Sequence, residues 1–200
     1  MDNVKSTYKN LVKLIRDGED GIELRDEIVS IVQKCPAVLD CGRFKKGGVL
    51  LYHACSTNKL FAMFGLLQVG ARVDVNCGHG DTPLMVAVSH VADDCATFLI
   101  NTGADLHKKN KIGRTALHHA ANAGRRRMFK FLVERGANPN LPDKFGTTPI
   151  DLFNERLCLY DEGDRSDFSY YLQSLKIERS RIDRSTVLDP VAPMETIPEI

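Results

Sequence analysis

Shifted against itself by 33 residues, this chain falls into register over most of its length. Gly70-Ala71, Gly103-Ala104 and Gly136-Ala137 coincide, as do Gly47, Gly80, Gly113 and Gly146. The last three glycines are each followed by a related run: Thr82-Pro83-Leu84, Thr115-Ala116-Leu117-His118 and Thr148-Pro149-Ile150. Such a period does not suit a globule around one central core. It describes a small unit repeated along an axis, each copy unable to bury its apolar face alone and stable only when stacked on a neighbour.

Residues 103–135 show how one unit reads. Gly103 supplies the positive φ that ends a preceding helix. Residues 105–113 form a projecting turn that returns at Gly113. Thr115 then caps a short helix, its hydroxyl facing the free amides of the first turn. Pro83 and Pro149 occupy the first helical position in the neighbouring units, where a missing N–H costs nothing. Leu117, Ala120 and Ala121 make the inner face of that helix. Gly124 turns the chain, and Phe129, Leu132 and Val133 form the apolar stripe of an outer helix.

The same register divides the chain into repeats at 37–69, 70–102, 103–135 and 136–175. The first departs from the pattern, with Val49-Leu50-Leu51 in place of Thr-Pro-Leu. Val91 stands where Gly124 stands in the next unit. A β-branched residue resists the left-handed conformation, so the 70–102 loop is expected to adopt a different geometry. Residues 1–36 read as an N-terminal helical cap or degenerate repeat. Leu11, Val12, Leu14 and Ile15 mark one helix; Ile28, Ile31 and Val32 mark another that Pro36 stops. An insertion at 158–164 separates the last two helices, with Phe168, Tyr171, Leu172 and Leu175 expected to close the stack. Residues 176–200, broken by Pro190, Pro193 and Pro198, keep no periodicity and read as a disordered tail.

A 33-residue period carrying a Thr-Pro-Leu-His-x-Ala core is the signature of the ankyrin repeat. Over roughly residues 37–175 the chain resembles that family. The resemblance implies an all-α solenoid of about four helix-turn-helix repeats with projecting turns, called fingers. It also implies non-catalytic protein binding through the fingers and the concave faces of the inner helices. By register those positions are Lys45, Lys46, His53, His79, Asp81, Val86, Ser89, His90, Lys111, Ile112, Arg114, His119, Asn122, Lys144 and Phe145. In the family pattern the position of His118 bonds locally and holds the repeat together, so its role is structural. A monomer that binds one or more proteins is expected, with no cofactor, no metal and no enzymatic activity. Two finer roles stay open: an IκB-like inhibitor of a transcription factor, or an adaptor linking a target to a ubiquitin ligase or phosphatase. No segment resembles the IκB phosphodegron, and an adaptor would need a second docking element within 1–36 or beyond 176. Ankyrin repeats are also substrates of an asparaginyl hydroxylase that favours Leu eight residues before the target. Leu132 and Asn140 have that spacing, although Asn138 and Pro139 replace the preferred acidic-aliphatic pair.

Net charge is +1, too little for a field that would draw the whole molecule to nucleic acid or an anionic membrane. The distribution is uneven: residues 103–135 hold nine Lys/Arg against two Asp/Glu. Arg125, Arg126 and Arg127, with Lys130, form one basic group at the start of an outer helix. It reads either as a solvated face or as a patch for an acidic partner. Lys108, Lys109, Lys111 and Arg114 form another on the finger. Ile112 and Phe145 are apolar residues at equivalent finger positions, either packed against the adjacent finger or free to anchor a partner. The six cysteines, Cys35, Cys41, Cys55, Cys77, Cys95 and Cys158, lack C-x-x-C spacing and read as reduced core residues. Neither a signal-peptide core nor an apolar run of ~18 residues is present. A cytoplasmic or nuclear location is therefore expected.

Overall fold

The computed structural model describes residues 2–40, 47–77, 79–157, 168 and 170–175. Two compact units divide the chain, Met1–Tyr160 and Asp161–Ile200. The division falls inside the 158–164 insertion. In the second unit the described residues form a helical segment at 170–175, where the rings of Phe168 and Tyr171 meet with centroids 5.6 Å apart.

The first unit is helical, with no strand among the described residues. Its elements are α1 (Asp2–Asp17), α2 (Ile22–Lys34), a 3₁₀ turn (Pro36–Asp40), α3 (Gly48–Ser56), α4 (Leu60–Gln68), α5 (Pro83–Ser89), α6 (Asp93–Asn101), α7 (Ala116–Asn122), α8 (Arg126–Glu134) and α9 (Pro149–Leu157). Helices α1, α3, α5, α7 and α9 pack successively in an inner column; α2, α4 and α6 pack in an outer one, and α8 pairs with α7. Seven-residue helices such as α5 and α7 are too short to be stable alone in water. Their stability comes from neighbours: Leu84, Ala87, Val88, Leu117, Ala120 and Ala121 are all buried between layers. Each large apolar side chain removed from water in this way contributes about 1.5–3 kcal/mol.

The layers are also pinned by polar bonds between repeats. Asp20, in the α1–α2 loop, accepts from the Phe61 and Ala62 N–H groups at 3.1–3.3 Å, capping α4 from another layer. The Lys59 ammonium donates to the Gly18 carbonyl. Helices α2 and α4 approach so closely that a Cβ on Gly65 would lie 3.2 Å from the Arg25 backbone.

The turns between inner and outer helices overturn one expectation. Asn58, Val91 and Gly124 have φ of 52°, 62° and 66°. The following N–H in each turn bonds back to the helix: Lys59 to Ala54 O, Ala92 to Ala87 O and Arg125 to Ala120 O, at 2.8–2.9 Å. The Val91 loop therefore keeps the common geometry. Burial of Ala92 and the bond to Ala87 hold the turn, and the valine accepts the strained conformation with its side chain exposed.

Candidate functional site

Each finger is built on a side chain that bonds to its own backbone. Asn110 Oδ1 accepts from the N–H groups of Ile112 (3.1 Å) and Arg114 (2.9 Å). One repeat later, Asp143 Oδ1 accepts from Phe145 (2.9 Å) and Thr147 (3.1 Å). Sequence reasoning missed both. The signal was available: an Asn or Asp three residues before a turn glycine, at 33-residue spacing, is an Asx-turn former. Cys77 occupies the same register, and the backbone bond that closes the finger, from residue 77 N–H to residue 81 O, is kept at 2.8 Å.

Neighbouring fingers are stitched together through the backbone. The Lys111 N–H donates to His79 O (3.2 Å) and the Lys144 N–H to Ile112 O (3.0 Å). This is why the finger glycines are needed beyond their positive φ. A Cβ on Gly113 would lie 2.8 Å from the Lys144 nitrogen, closer than non-bonded atoms tolerate.

Asp143 is buried and also receives the Arg114 Nε–H at 3.1 Å. Burial alone would push its carboxyl pKa up. The Phe145 and Thr147 N–H groups and the Arg114 guanidinium more than offset this and hold it below the usual carboxylate range. Arg114, a candidate contact residue, is thus partly committed to the finger.

Between α5, α7 and the fingers, a polar chain crosses two repeats. Ser89 Oγ lies 2.8 Å from His119 Nδ1, and His119 Nε2 lies 3.6 Å from Asp81 Oδ1. Asn110 Nδ2 donates to Asp81 Oδ1 at 2.7 Å. Burial raises the Asp81 pKa, but the bonds from His119 and Asn110, with the nearby His119 and His79 charges, bring it below its ordinary value. Ser89, His119 and Asp81 have the composition of a hydrolytic triad. Ser89, however, ends α5, so carbonyl groups and the negative end of the helix face it. That is the wrong environment for a developing oxyanion, which needs converging N–H donors. The chemistry is that of a hydrogen-bond chain linking two repeats.

His118 is fully buried. Its Nδ1 takes the Thr115 N–H at 3.1 Å and contacts the Thr115 hydroxyl at 2.9 Å, while Nε2 lies 3.3 Å from Thr147 O. These partners fit a neutral ring that accepts at Nδ1 and donates at Nε2, a tautomer assigned from the bonding pattern. Burial lowers its pKa to about 4, against smaller upward contributions from Thr147 and Asp143. At α5 and α9 the cap is as expected, with Thr82 and Thr148 hydroxyls accepting from Met85 and Asp151 N–H groups at 3.3 and 3.2 Å.

The remaining candidates fall into distinct places. His79, Ser89, His90, Lys111, Ile112, Asn122, Lys144 and Phe145 are exposed, and Asp81 and His119 are half-buried. His53 is half-buried too, with its pKa lowered by burial and by the Arg16 charge. The Tyr52 ring meets both His53 and His90 edge-on at 5.7 and 5.9 Å. Val86 is only 4% exposed and offers no contact surface; His90 Nδ1 bonds to the Val86 carbonyl at 3.0 Å, over that turn of helix. Lys45 and Lys46 lie outside the described residues.

In the basic group at the start of α8, Arg125 faces inward. Its guanidinium donates to Val88 O at 3.1 Å and pairs with Asp93 in the neighbouring repeat. It is a staple between layers, which separates it from Arg127 and Lys130 on the exposed face. Asn140 closes a local turn, its N–H bonding to Asn138 Oδ1 at 2.9 Å. Cys35, Cys55, Cys77 and Cys95 are free thiols. Burial pushes the Cys55 and Cys77 thiols well up and the Cys95 thiol to about 12. Cys41 and Cys158 lie outside the described residues. No described helix is long and apolar enough to cross a membrane.

Stacked helix pairs with backbone-stitched fingers, and inner helices that start after Thr82, Thr115 and Thr148, are the architecture that the 33-residue period requires. The family model described as ankyrin repeats (3 copies) matches residues 7–110 and 51–143, more than half of the chain. The chain belongs to the ankyrin-repeat family. Among relatives, it is 44% identical to mouse Inversin over 102 residues, covering 50% of this chain and 10% of Inversin. It is 38% identical to the E3 ubiquitin-protein ligase Ufd4 of Drosophila melanogaster over 95 residues, covering 46% of this chain and 3% of the ligase. It is 32% identical to ankyrin repeat protein OPG189 of Variola virus over 114 residues, covering 52% of this chain and 20% of the viral protein. The chain therefore spans a fifth or less of the length of each of these relatives.

Proposed function

We propose that this chain is a non-catalytic protein-binding module whose partner lies along the fingers and the concave side of α5 and α7. The observation that carries this reading is Phe145, 75% exposed at the tip of a finger that Asp143 and the Lys144–Ile112 backbone bond hold in one conformation. Ile112, 41% exposed, occupies the same place one repeat earlier. Exposed apolar side chains on a rigid support contribute to binding with little ordering cost. The relatives differ in name, and each matches this chain over 95–114 residues, about half of its length, which supports a common recognition role for the repeats. An adaptor or an IκB-like inhibitor is a specialisation of this binding role.

The test is quantitative affinity capture with three proteins: wild type, Ile112→Ala with Phe145→Ala, and Ser89→Trp with Asn122→Trp. The last fills the groove with uncharged bulk. Melting curves check that all three remain folded. The reading expects partners held by wild type to be lost from at least one variant. Retention of every partner by both folded variants overturns it.

A further inference from the structure

The fingers of the third and fourth repeats carry a charge pattern that specifies the chemistry of the partner. Lys109 Nζ donates to Pro142 O at 2.8 Å, and Arg114 is paired with buried Asp143. Lys108, Lys111 and Lys144 are exposed, and among the described residues no carboxylate pairs with them. The interfinger backbone bonds fix the main chain of Lys111 and Lys144, so both side chains leave the fingers from set positions beside Ile112 and Phe145. Lys108, Lys109 and Lys111 also border a cleft of about 300 Å³ against Asn76 and Thr82 of the preceding repeat. Alternation of unpaired ammonium groups with exposed apolar tips matches a ligand in which carboxylates flank a large apolar side chain.

We propose that these fingers bind an acidic segment of a partner protein, with an aromatic or large aliphatic residue of that segment seated on Ile112 and Phe145 and its carboxylates on Lys108, Lys111 and Lys144. This rests on the reading of the fingers as the binding surface. A protein segment fits better than a nucleic acid for two reasons. The apolar tips interrupt the row of charge. Asp74 also lines the same cleft: an unbroken phosphate backbone would run past it, whereas a peptide can place discrete carboxylates on the lysines and an uncharged residue at Asp74. Rim charges of this kind act mainly on association rate and specificity, while the apolar tips contribute buried area.

The experiment selects from a library of random 12-residue peptides displayed on phage, using the intact chain as bait. The enriched peptides are then synthesised and titrated against wild type, Lys108→Glu/Lys111→Glu/Lys144→Glu, Ile112→Ala/Phe145→Ala and the groove-filled variant. The expected peptides carry Asp or Glu on both sides of a Phe, Tyr, Leu or Ile. Their affinity should fall on the order of tenfold with charge reversal, and their affinity for wild type should fall in ~1 M salt, where the Debye length is about 3 Å. Peptides with Lys in place of Glu should recover binding to the charge-reversed protein, which a merely misfolded finger would not permit. Enrichment without acidic bias, equal binding to wild type and the charge-reversed protein, or full competition by oligothymidylate overturns the proposal. If non-acidic peptides are enriched and lost only from the groove-filled variant, the acidic partner is wrong and the protein-binding function stands. If no peptide is enriched, or all three variants hold every peptide, both fall.

Discussion

His118 Nε2 lies 3.3 Å from the carbonyl oxygen of Thr147, one repeat further along the stack, while Nδ1 of the same ring takes the Thr115 N–H at 3.1 Å. One buried imidazole thus caps its own helix and fastens the next layer. The equivalent residues, Met85 and Asp151, also close their own caps, through a 3.5 Å contact of Met85 Sδ with the Thr82 nitrogen and a 2.6 Å bond from the Thr148 hydroxyl to Asp151.

The His118 pKa of about 4 makes stability depend on pH. The unfolded chain takes the proton first, near pH 6.5, so the stabilisation is complete above 6.5 and is lost as pH falls towards 4. A shift of this size is worth roughly 3 kcal/mol. His53, also lowered, loses stability in the same direction on acidification. Asp81 and Asp143 act below the ordinary carboxylate value of 3.8, outside this window. Urea midpoints at several pH values between 4 and 7 should fall steadily on acidification in wild type and less steeply in His118→Gln. Equal slopes in the two proteins would remove His118 from the account.

Val91 has φ of 62° with its side chain exposed. Left-handed backbone costs an L-residue roughly 1–2 kcal/mol, part of which glycine would return through a freer unfolded chain. Val91→Gly should therefore raise stability by about 1 kcal/mol by chemical denaturation, and Gly124→Val should lower it by a similar amount. A less stable Val91→Gly protein would contradict the strain argument.

Ala120 is fully buried between helices. Ala120→Leu should cost about 1–3 kcal/mol through overpacking, a loss shared with neighbouring repeats. A melting curve identical to wild type would mean that the helix face is misassigned.

Asp143 satisfies two backbone N–H groups and one guanidinium from a buried position. Asp143→Ala leaves those donors unpaired, at about 1–3 kcal/mol. Asp143→Asn keeps the Oδ1 acceptor that Asn110 uses in the preceding finger and should cost clearly less. Amide exchange of Phe145 and Thr147 should speed up in the alanine variant and stay slow in the asparagine variant; equal protection in both would show that the carboxylate does not hold the finger.

Hydroxylation of Asn140 remains a proposal from the Leu132–Asn140 spacing. Leu132 is fully buried and Asn140 lies in a closed turn, so the segment must open locally before an enzyme can take it in extended form. Mass-spectrometric mapping after incubation with the hydroxylase should find added oxygen chiefly near the melting temperature. No added oxygen on the Asn140 peptide at any temperature retires the idea.

The repeat length, the all-α class, the Thr-initiated inner helices and the finger positions of Ile112 and Phe145 were legible in the sequence. Each depends on residues within one 33-residue unit, so chain order alone displays it. The tertiary structure decided what links one unit to another. It placed Arg125 on Val88 O and Asp93 instead of in a surface patch, buried Val86, and joined Ser89, His119 and Asp81 across two repeats. It also imposed the left-handed turn on Val91, against that residue's own preference, because packing of the buried Ala92 outweighs about 1–2 kcal/mol of local strain. Local preference sets each repeat; the stack, through partners about 30 residues apart, decides which side chains are used up in holding it together and which are left for a partner.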